Sequence, residues 1–475
     1  MNPYGRLHPD VLSSFKAYDI RGISGETVTP ALAWALGHAY SRGFSNIRRI
    51  AIGRDIRTSG EKLMEALIEG FNDAGVDVIN LGIVPTGAIY HATHALDVDG
   101  GIVVTASHNP PQYNGFKICL GTLTLAGDEI QYLASIIHES PQKATKKGKN
   151  QLFNIESNLF ESIIESTGLP NRPVSVVIDA GNAVPGPMLC RLMDKLNVKY
   201  ESIFCTWDPT FPNHPPDPTR PSNMISLGEK VRSTNAEFGI GVDGDGDRIG
   251  IVDENGEFVT PDRLLALFAK DILSKSKEKL PIIFDVKCSM ALEETINNYG
   301  GLPVMMRTGH SFIKKALREK PITPLAGEMS GHFFFNDTWP GHDDALYCAA
   351  RLIEMISRNP SPKENGASIS SLLNQIPNYP SSNEVKIPLI GERELIMEQV
   401  ISLLKMSNAN LVTIDGVRAQ WENGWFLCRP SNTEPILVVR AEAKSIELLN
   451  SIIKEVVERL SSVVDLSILL EDING

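Results

Sequence analysis

The sequence predicts an α/β protein of several domains, and two observations support this. Short, continuous apolar runs are followed by polar or glycine-rich loops and then by helical periods, which is typical of parallel, doubly wound sheets covered on both faces. The chain has 475 residues, and at roughly 150 residues per domain that length predicts about three domains. A content of 42% hydrophobic and 21% charged residues is typical of globular proteins and excludes a disordered or fibrous chain.

The predicted elements follow one order along the chain: strand, loop, helix. An apolar strand at 102–104 opens into the loop TASHN, and strands at 174–178, 281–284 and 303–306 each lead through a polar loop into a helical segment. The last elements are a strand at 436–439 and a helix from about 441 to 460. The apolar stripe of this helix is typical of core packing, and it consists of Ile446, Leu449, Ile453, Val456 and Leu460. Ligands of such sheets bind at the carboxyl ends of the strands, so the chemistry is expected in the loops that follow them.

Three polar or turn-rich stretches predict boundaries between domains. They lie at 143–150, at 253–261 with its Asn-Gly turn signal, and at 358–384, which is rich in Pro, Asn and Ser. The predicted units are therefore four: 1–154, 155–257, 258–373 and 374–475. The segment 211–221 is too dense in proline for regular structure and predicts a stiff surface loop.

Charge and cysteine usage exclude several classes of function. The net charge is −12 and no long basic run occurs, which argues against nucleic acid or an anionic membrane as partner. No apolar stretch approaches the 18 residues of a spanning helix, and the start MNPYGRLHPD lacks the pattern of a secretory signal. The six cysteines form no CxxC pair, so we expect reduced thiols and a cytoplasmic protein.

The first loop with chemical potential is TASHNP, at 105–110, which places Ser107 beside His108 at the mouth of the predicted sheet. A serine hydrolase would need a GxSxG elbow, which this segment lacks. An ordinary polar turn is the alternative. Lys117, shortly downstream, offers a base or a phosphate contact.

The second loop is DGDGDR, in which Asp243, Asp245 and Asp247 alternate with glycine between two apolar runs. Carboxylates this close repel one another unless a cation neutralises them, and oxygen ligands favour Mg²⁺ or Ca²⁺. An EF-hand would need glycine where Arg248 stands, and helices where the flanks predict strands. An unliganded, solvated hairpin is the other alternative.

Two further loops and several separate polar residues complete the candidate site. GEMSGH supplies Glu328, Ser330 and His332, which alternate and would point the same way in an extended loop. RPSNTEP and the strand after it supply a fork suited to phosphate oxygens, namely Arg429, Ser431, Asn432, Thr433 and Arg440. Supporting residues are Tyr18, Arg21, Arg54, Arg57, Lys287 and His310. Taken singly, each of these is also consistent with a solvated loop, a capped turn or a structural ion pair.

Together these segments resemble the α-D-phosphohexomutase family, specifically its phosphomannomutase/phosphoglucomutase branch. TASHNP resembles the family's phosphoserine loop, DGDGDR its metal loop, GEMSGH its sugar loop and RPSNTEP its phosphate-binding loop. The four motifs occur in the family's order, one in each predicted unit. The Met in GEMSGH separates this branch from glucosamine mutases, which typically read GEQSGH.

The resemblance implies a fold and a mechanism. Three similar mixed α/β domains would carry the phosphoserine, the metal and the sugar contacts, and a C-terminal α+β domain with the phosphate contacts would close over a central cleft. The enzyme would interconvert hexose 1-phosphate and hexose 6-phosphate through a phosphoserine and a hexose 1,6-bisphosphate. Ser107, Asp243, Asp245 and Asp247 would hold one Mg²⁺.

The resemblance also implies a role for each candidate residue. The catalytic set would be Ser107, His108, Lys117, Arg248 and His332, with Lys117 and His332 as the proton-transfer groups. Glu328 and Ser330 would hold sugar hydroxyls, and Arg429, Ser431, Asn432, Thr433 and Arg440 the non-reacting phosphate. Tyr18, Arg21, Lys287, His310 and His332 would make further substrate contacts. A phosphoglucosamine mutase, a metal-dependent sugar phosphatase and a non-catalytic phosphosugar-binding relative are the alternatives. We expect a monomer.

Overall fold

The computed structural model describes residues 2–141, 144–364, 366–431 and 435–472. Four sheets follow one another along the chain, with seven, five, four and five strands. The prediction of an α/β fold with mixed sheets is confirmed. Central strands are parallel, as the apolar runs predict, but each of the first three sheets has antiparallel strands at one edge, and the fourth sheet is antiparallel throughout.

The first sheet has the order β1-β5-β4-β2-β3-β7, and β6 pairs with β5. Its strands are β1 (Ile20–Ile23), β2 (Arg49–Arg54), β3 (Asp77–Ile83), β4 (Gly100–Val104), β5 (Tyr113–Leu120), β6 (Leu123–Thr124) and β7 (Asn150–Leu152). The helices are α1 (Pro30–Gly43), α2 (Gly60–Asp73), α3 (Thr86–Ala95) and α4 (Asp128–Ile136), after a 3₁₀ turn at Val11–Ser14. Helix α1 begins where the Thr29 side chain accepts a hydrogen bond from the Leu32 amide and Pro30 takes the first position.

The second sheet has the order β12-β11-β10-β8-β9. Its strands are β8 (Ser175–Asp179), β9 (Lys199–Ile203), β10 (Phe238–Val242), β11 (Ile249–Val252) and β12 (Phe258–Val259). Its helices are α5 (Glu156–Thr167), α6 (Pro185–Lys195) and α7 (Ile225–Thr234), with a 3₁₀ turn at Pro221–Met224. Strand β10 is parallel to β8 and antiparallel to β11, so the turn between β10 and β11 lies at the carboxyl end of a central strand.

The third sheet has the order β14-β13-β15-β16. Its strands are β13 (Pro281–Asp285), β14 (Leu302–Met306), β15 (Leu325–Gly327) and β16 (Phe333–Phe335). Its helices are α8 (Pro261–Leu273), α9 (Met290–Asn298), α10 (His310–Glu319), α11 (Ala345–Ser357) and α12 (Ile369–Leu373), with a 3₁₀ turn at Pro362–Glu364. The predicted linker 358–384 therefore contains a short helix, whose first turn is capped by the Ser368 hydroxyl.

The fourth sheet has the order β17-β21-β20-β19-β18. Its strands are β17 (Val385–Pro388), β18 (Asn410–Val412), β19 (Val417–Trp421), β20 (Gly424–Pro430) and β21 (Ile436–Ala443), and its helices are α13 (Arg393–Lys405), α14 (Ile446–Leu460) and α15 (Ile468–Asp472). The predicted start of the last helix at about 441 is wrong. Strand pairing with β20 continues to Ala443, and the Ser445 hydroxyl caps the helix that follows.

Apolar packing joins the first three sheets and sets the fourth apart. One core cluster combines side chains of the first, second and third sheets, while the fourth sheet and its helices have a core of their own. A small cluster of Val286, Trp425 and Leu427 connects the third and fourth sheets. In the described part of the chain, no helix has both the length and the apolar character that crossing a bilayer requires.

Candidate active site

Residues from all four sheets and their loops line one cavity of about 650 Å³. Of the residues predicted from the motifs, eight line it: Tyr18, Arg21, Ser107, His108, Lys117, Arg248, His310 and His332. The fourth sheet contributes Lys386, on β17. Strand-end loops that lie far apart in the sequence therefore share one cleft, as the sheet topology predicts.

Ser107 follows strand β4 in a strained conformation, with φ of 51° in the left-handed region that non-glycine residues rarely adopt. Its amide donates to Thr105 Oγ1 at 2.9 Å, and its carbonyl accepts a bond from the Arg57 guanidinium at 2.7 Å. The buried hydroxyl donates to Asp243 Oδ2 at 2.6 Å and lies 3.1 Å from His108 Nδ1. The loop geometry thus points the serine oxygen at the acidic loop of the second sheet.

Asp243, Asp245 and Asp247 lie in the β10–β11 turn, and each offers a carboxylate oxygen within 4.8 Å of the others. All three are buried. Asp243 Oδ1 accepts the backbone amides of Gly246, Asp247 and Arg248 at 3.0 to 3.1 Å. The flanking elements are antiparallel strands, which excludes an EF-hand.

Electrostatics within this turn favour a bound cation. Burial, together with Asp247 and Asp245, raises the pKa of Asp243 well above its usual range. Lys117 Nζ donates to Asp245 Oδ2 at 2.6 Å and also to Asp247, and despite burial these carboxylates raise the lysine pKa. Among the described residues, Asp245 Oδ1 is buried without a hydrogen-bond partner, and the buried Asp247 Oδ1 lies 3.3 Å from His332 Nε2. A set of buried carboxylate oxygens, one of them unpartnered, fits a hard divalent cation.

Glu328, Ser330 and His332 lie in the β15–β16 turn. The Glu328 amide donates to the His332 carbonyl oxygen at 3.0 Å, which closes a tight turn. The prediction of an extended loop is therefore wrong. The side chains still converge, because Ser330 Oγ lies 2.9 Å and Glu328 Oε2 3.2 Å from His332 Nδ1.

His332 links this turn to the acidic turn, because its Nε2 lies 3.3 Å from Asp247 Oδ1. Burial opposes the charged imidazole, but Asp247 and Glu328 outweigh it and raise the pKa of His332 to about 9. The Arg248 Nε lies 3.3 Å from His332 Nε2. His332 is therefore held between two carboxylates at the border of the second and third sheets.

His310 and Tyr18 lie beside His332, whose ring stacks on that of His310 with centroids 5.4 Å apart. The rings of His310 and Tyr18 meet edge to face, with centroids 5.3 Å apart. Burial and the nearby Lys314 lower the pKa of His310 well below its usual range, so this imidazole is neutral. Arg21 donates to Asn109 Oδ1 at 2.8 Å and pairs with Asp19 at 2.5 Å.

The predicted phosphate fork lies on the fourth sheet, at its contact with the third. Arg429, on β20, donates to Asp415 Oδ2 at 2.9 Å, and Asp415 also accepts the Thr308 amide at 3.0 Å. Arg440 lies within β21, not after it as predicted, and donates to the Lys287 carbonyl at 2.9 Å. Lys287, Glu328, Ser330, Arg429, Ser431 and Arg440 are outside the lining of the 650 Å³ cavity. Asn432 and Thr433 lie outside the described residues.

Sequence reasoning missed three buried side chains around the site. The Thr86 hydroxyl donates to Asp245 Oδ2 at 2.6 Å. Asp343 Oδ2 lies 3.8 Å from His332 Nε2 and 3.6 Å from His310 Nδ1. Asp343 stands eight positions after the strand FFF, and the nearer Asp337 pairs with Arg351, so a strand-then-carboxylate pattern does not single out Asp343.

The third missed residue is Asp217, in the segment 211–221. This segment is irregular and partly exposed, as predicted, but residues 216–218 are buried. The Pro216 carbonyl accepts the Gly244 amide at 3.1 Å, so this segment packs against the acidic turn. Asp217 is buried there, and His108 and Arg248 lower its pKa to about 2 although burial opposes the charged form. The proline density alone does not reveal this contact.

Comparisons with known proteins agree with this geometry. Four family models match in order: phosphoglucomutase/phosphomannomutase alpha/beta/alpha domain I at residues 12–144, domain II at 157–256, domain III at 260–379, and the C-terminal domain at 384–459. The chain is 41% identical over 445 residues to a phosphomannomutase/phosphoglucomutase of Pseudomonas aeruginosa, covering 93% of this chain and 94% of the relative.

Two further relatives have the same extent of similarity. A phosphoglucomutase of Neisseria meningitidis is 40% identical over 452 residues, covering 94% of this chain and 96% of the relative. A crystal structure of a phosphoglucomutase/phosphomannomutase family protein from Burkholderia thailandensis superposes with a TM-score of 0.88 at 40% identity, covering 95% of this chain and 98% of that one. The similarity thus extends over nearly the whole chain in sequence and in structure.

Proposed function

Because the chain belongs to the phosphoglucomutase/phosphomannomutase family, we propose that it interconverts hexose 1-phosphates and hexose 6-phosphates of mannose and glucose. The reaction proceeds through a phosphoserine enzyme and a hexose 1,6-bisphosphate. A buried serine hydroxyl aimed at three carboxylates supports this proposal most directly, since Ser107 Oγ lies 2.6 Å from Asp243 Oδ2.

The acidic turn is the proposed metal site. Asp243, Asp245 and Asp247, with Ser107 beside them, would hold one Mg²⁺ through oxygen atoms alone. When bound, the ion would neutralise charge on the transferring phosphoryl group. Its two positive charges would also offset the repulsion among the three carboxylates.

The group transfer needs no reactant besides the phosphoserine and the sugar phosphate, and the bisphosphate forms between the two steps. The bond between Ser107 Oγ and phosphorus breaks as a sugar hydroxyl oxygen bonds to that phosphorus, and the hydroxyl proton passes to the protein. The bisphosphate then returns its other phosphate to Ser107 Oγ, and the leaving sugar oxygen takes up a proton. Lys117 and His332 are the proposed proton-transfer groups, because both contact the carboxylates around Ser107.

Arg248 and His108 would stabilise the negative charge of the phosphoryl group beside Ser107. Glu328 and Ser330 would bind sugar hydroxyls, since they point at His332 on the cavity border. The predicted substrate contacts are Tyr18, Arg21, Lys287, His310, His332, Arg429, Ser431, Asn432, Thr433 and Arg440. The same phosphate fork would hold whichever phosphate is not reacting.

The alternative functions are not favoured, because relatives about 40% identical over most of the chain are named phosphomannomutase/phosphoglucomutase or phosphoglucomutase. Three further points stay predictions. The proposed domains are 1–154, 155–257, 258–373 and 374–475, the proposed assembly is a monomer, and the proposed location is the cytoplasm.

A coupled assay on mannose 1-phosphate, glucose 1-phosphate and glucosamine 1-phosphate, with added hexose 1,6-bisphosphate, tests this function. We expect turnover of the mannose and glucose phosphates and much weaker turnover of glucosamine 1-phosphate. Peptide mapping of the purified protein should find phosphate on Ser107, and that phosphate should leave when a sugar phosphate is added.

Two serine variants make the test specific. Ser107→Ala should lose all turnover, whereas Ser135→Ala, on the exposed face of α4, should retain it. Full turnover by Ser107→Ala, or a phosphate on Ser107 that never exchanges, would contradict the phosphoserine mechanism.

A further inference from the structure

The contact between the third and fourth sheets contains a buried arginine that no predicted role uses. Arg418, on β19, is 1% exposed. Its Nη1 donates to the carbonyl oxygens of Val286 at 2.6 Å and Cys288 at 2.8 Å. Among the described residues, no ion pair includes this guanidinium, although Glu442 and Glu293 act on it from farther away, and its Nε has no hydrogen-bond partner. Burial lowers its pKa to about 10.

A buried charge without a carboxylate partner is costly, so its partners indicate what it does. The guanidinium carbon lies 3.9 Å from the centroid of the Trp425 ring, which partly replaces the lost hydration. The Trp425 indole in turn donates to Glu442 Oε1 at 2.9 Å, and the same oxygen accepts the Met290 amide at 2.9 Å. This group of fourth-sheet side chains is therefore built around the loop from 286 to 290.

Lys287 lies at the middle of that loop. Its carbonyl accepts the bond from Arg440 at 2.9 Å, so side chains of the fourth sheet bind three successive carbonyls, at 286, 287 and 288. Its Nζ lies 3.2 Å from Glu384 Oε2, just before β17. Lys287 belongs to the third sheet in sequence, but its backbone and its ammonium group are both bonded to the fourth.

We infer that Arg418 is a positioning residue, which fixes the Lys287 loop to the fourth sheet and so sets where the Lys287 ammonium lies when substrate is bound. This inference rests on the proposed function, in which Lys287 contacts the phosphosugar. Arg418 itself touches no substrate in this scheme. Its effect passes through the carbonyls on either side of Lys287.

A double-mutant cycle tests the inference. We expect Arg418→Met to lower kcat/KM for glucose 1-phosphate about tenfold or more, since two charge-assisted bonds are lost. In a Lys287→Met background the same substitution should lower kcat/KM no more than about twofold, because the group it positions is already absent. Arg418→Lys should keep more activity than Arg418→Met, since an ammonium group keeps the positive charge but cannot reproduce the paired donors of the guanidinium.

Arg172→Met is the control away from the cavity, because Arg172 also bonds a distant backbone carbonyl, that of Asn359 at 2.6 Å. Unlike Arg418, Arg172 also pairs with Glu237 at 2.7 Å, so the control removes at least as many bonds. It should leave kcat/KM unchanged. If Arg418→Met does not fold, Arg418→Lys replaces it in the cycle. Hydrogen exchange of the Met290 amide should become faster in either Arg418 variant.

The outcomes separate the inference from the proposed function. Equal losses from Arg418→Met in both backgrounds would overturn the inference, because the residue would then act independently of Lys287. A Lys287→Met protein with unchanged kcat/KM would also overturn it, while leaving the mutase intact. Absence of mutase turnover in the unmodified protein would refute the proposed function itself.

Discussion

Gly244 shows how closely two loops from different sheets approach, and its substitution is a direct test of the site. A Cβ at Gly244 would lie 2.1 Å from the Ser107 carbonyl oxygen, where ordinary contact begins at 3.4 Å. Gly244→Ala must therefore move the acidic turn and the serine loop apart by more than 1 Å. The partner atom is backbone, so no side chain can rotate away to relieve the overlap.

The expected magnitude follows from this displacement. Misplacing reacting groups by about 1 Å can cost roughly 100-fold in rate, so we expect Gly244→Ala to lower kcat/KM about 100-fold, or about 2.7 kcal/mol of activation free energy. Overpacking also costs about 1–3 kcal/mol of folding stability. The coupled assay measures the first effect and denaturant unfolding the second.

The matched control is Gly60→Ala, at the start of α2, because a Cβ there has its nearest neighbour at 3.4 Å. This variant should keep its activity. Wild-type kcat/KM in Gly244→Ala, with an unchanged metal requirement, would refute the reasoning, since the loops would then not need the observed approach.

Three further predictions concern the metal, the phosphate and pH. Chelation should abolish turnover and Mg²⁺ should restore it, and full activity in excess chelator would contradict the metal site. Asp245→Asn should lose activity but stay folded, since it removes carboxylate repulsion together with a metal ligand. Arg429→Ala should weaken binding of the hexose 1-phosphate and the hexose 6-phosphate alike, roughly 10- to 150-fold in calorimetric titration. The reason is that a hydrogen bond to a charged group contributes about 1.5–3 kcal/mol. Weaker binding of one isomer alone would exclude a shared phosphate site. Asp344 caps the start of α11, and burial raises its pKa to about 7. The folded state therefore keeps a proton that the unfolded chain releases near pH 4, and stability falls as pH rises from about 4 to 7. Asp344→Asn should therefore stabilise the protein more at pH 8 than at pH 5 in urea unfolding, and an equal effect at both would contradict the raised pKa.

Local patterns were sufficient to predict the loops that carry the chemistry. Ser107 and the three aspartates follow short apolar runs that predict buried strands, and glycine or proline closes each turn. A strand end at a sheet edge is set by sequence neighbours, so it can be predicted without knowing what lies opposite. The last strand was predicted too short because RAEA, 440–443, alternates polar and small residues that fit strand and helix equally.

The partners of these loops depend on the tertiary structure. The hydroxyl of Ser107 donates to a carboxylate 136 positions away, and that of Thr86 donates to a carboxylate 159 positions away. The guanidinium of Arg418 donates to a backbone carbonyl 132 positions away. Whether a buried polar group finds such a partner depends on how whole sheets pack, which no local period encodes.

By itself, the sequence determined the α/β class, the order of four motif loops and, through their resemblance to a known family, the expected reaction. Only the tertiary structure decided that Asp217, Asp343 and Arg418 belong to the site and its supports. It also decided that Lys287 is held by a sheet other than its own. The physical reason is that hydrogen bonds and charges act over a few ångströms in space, whereas sequence periodicity reports only which face of one element is buried.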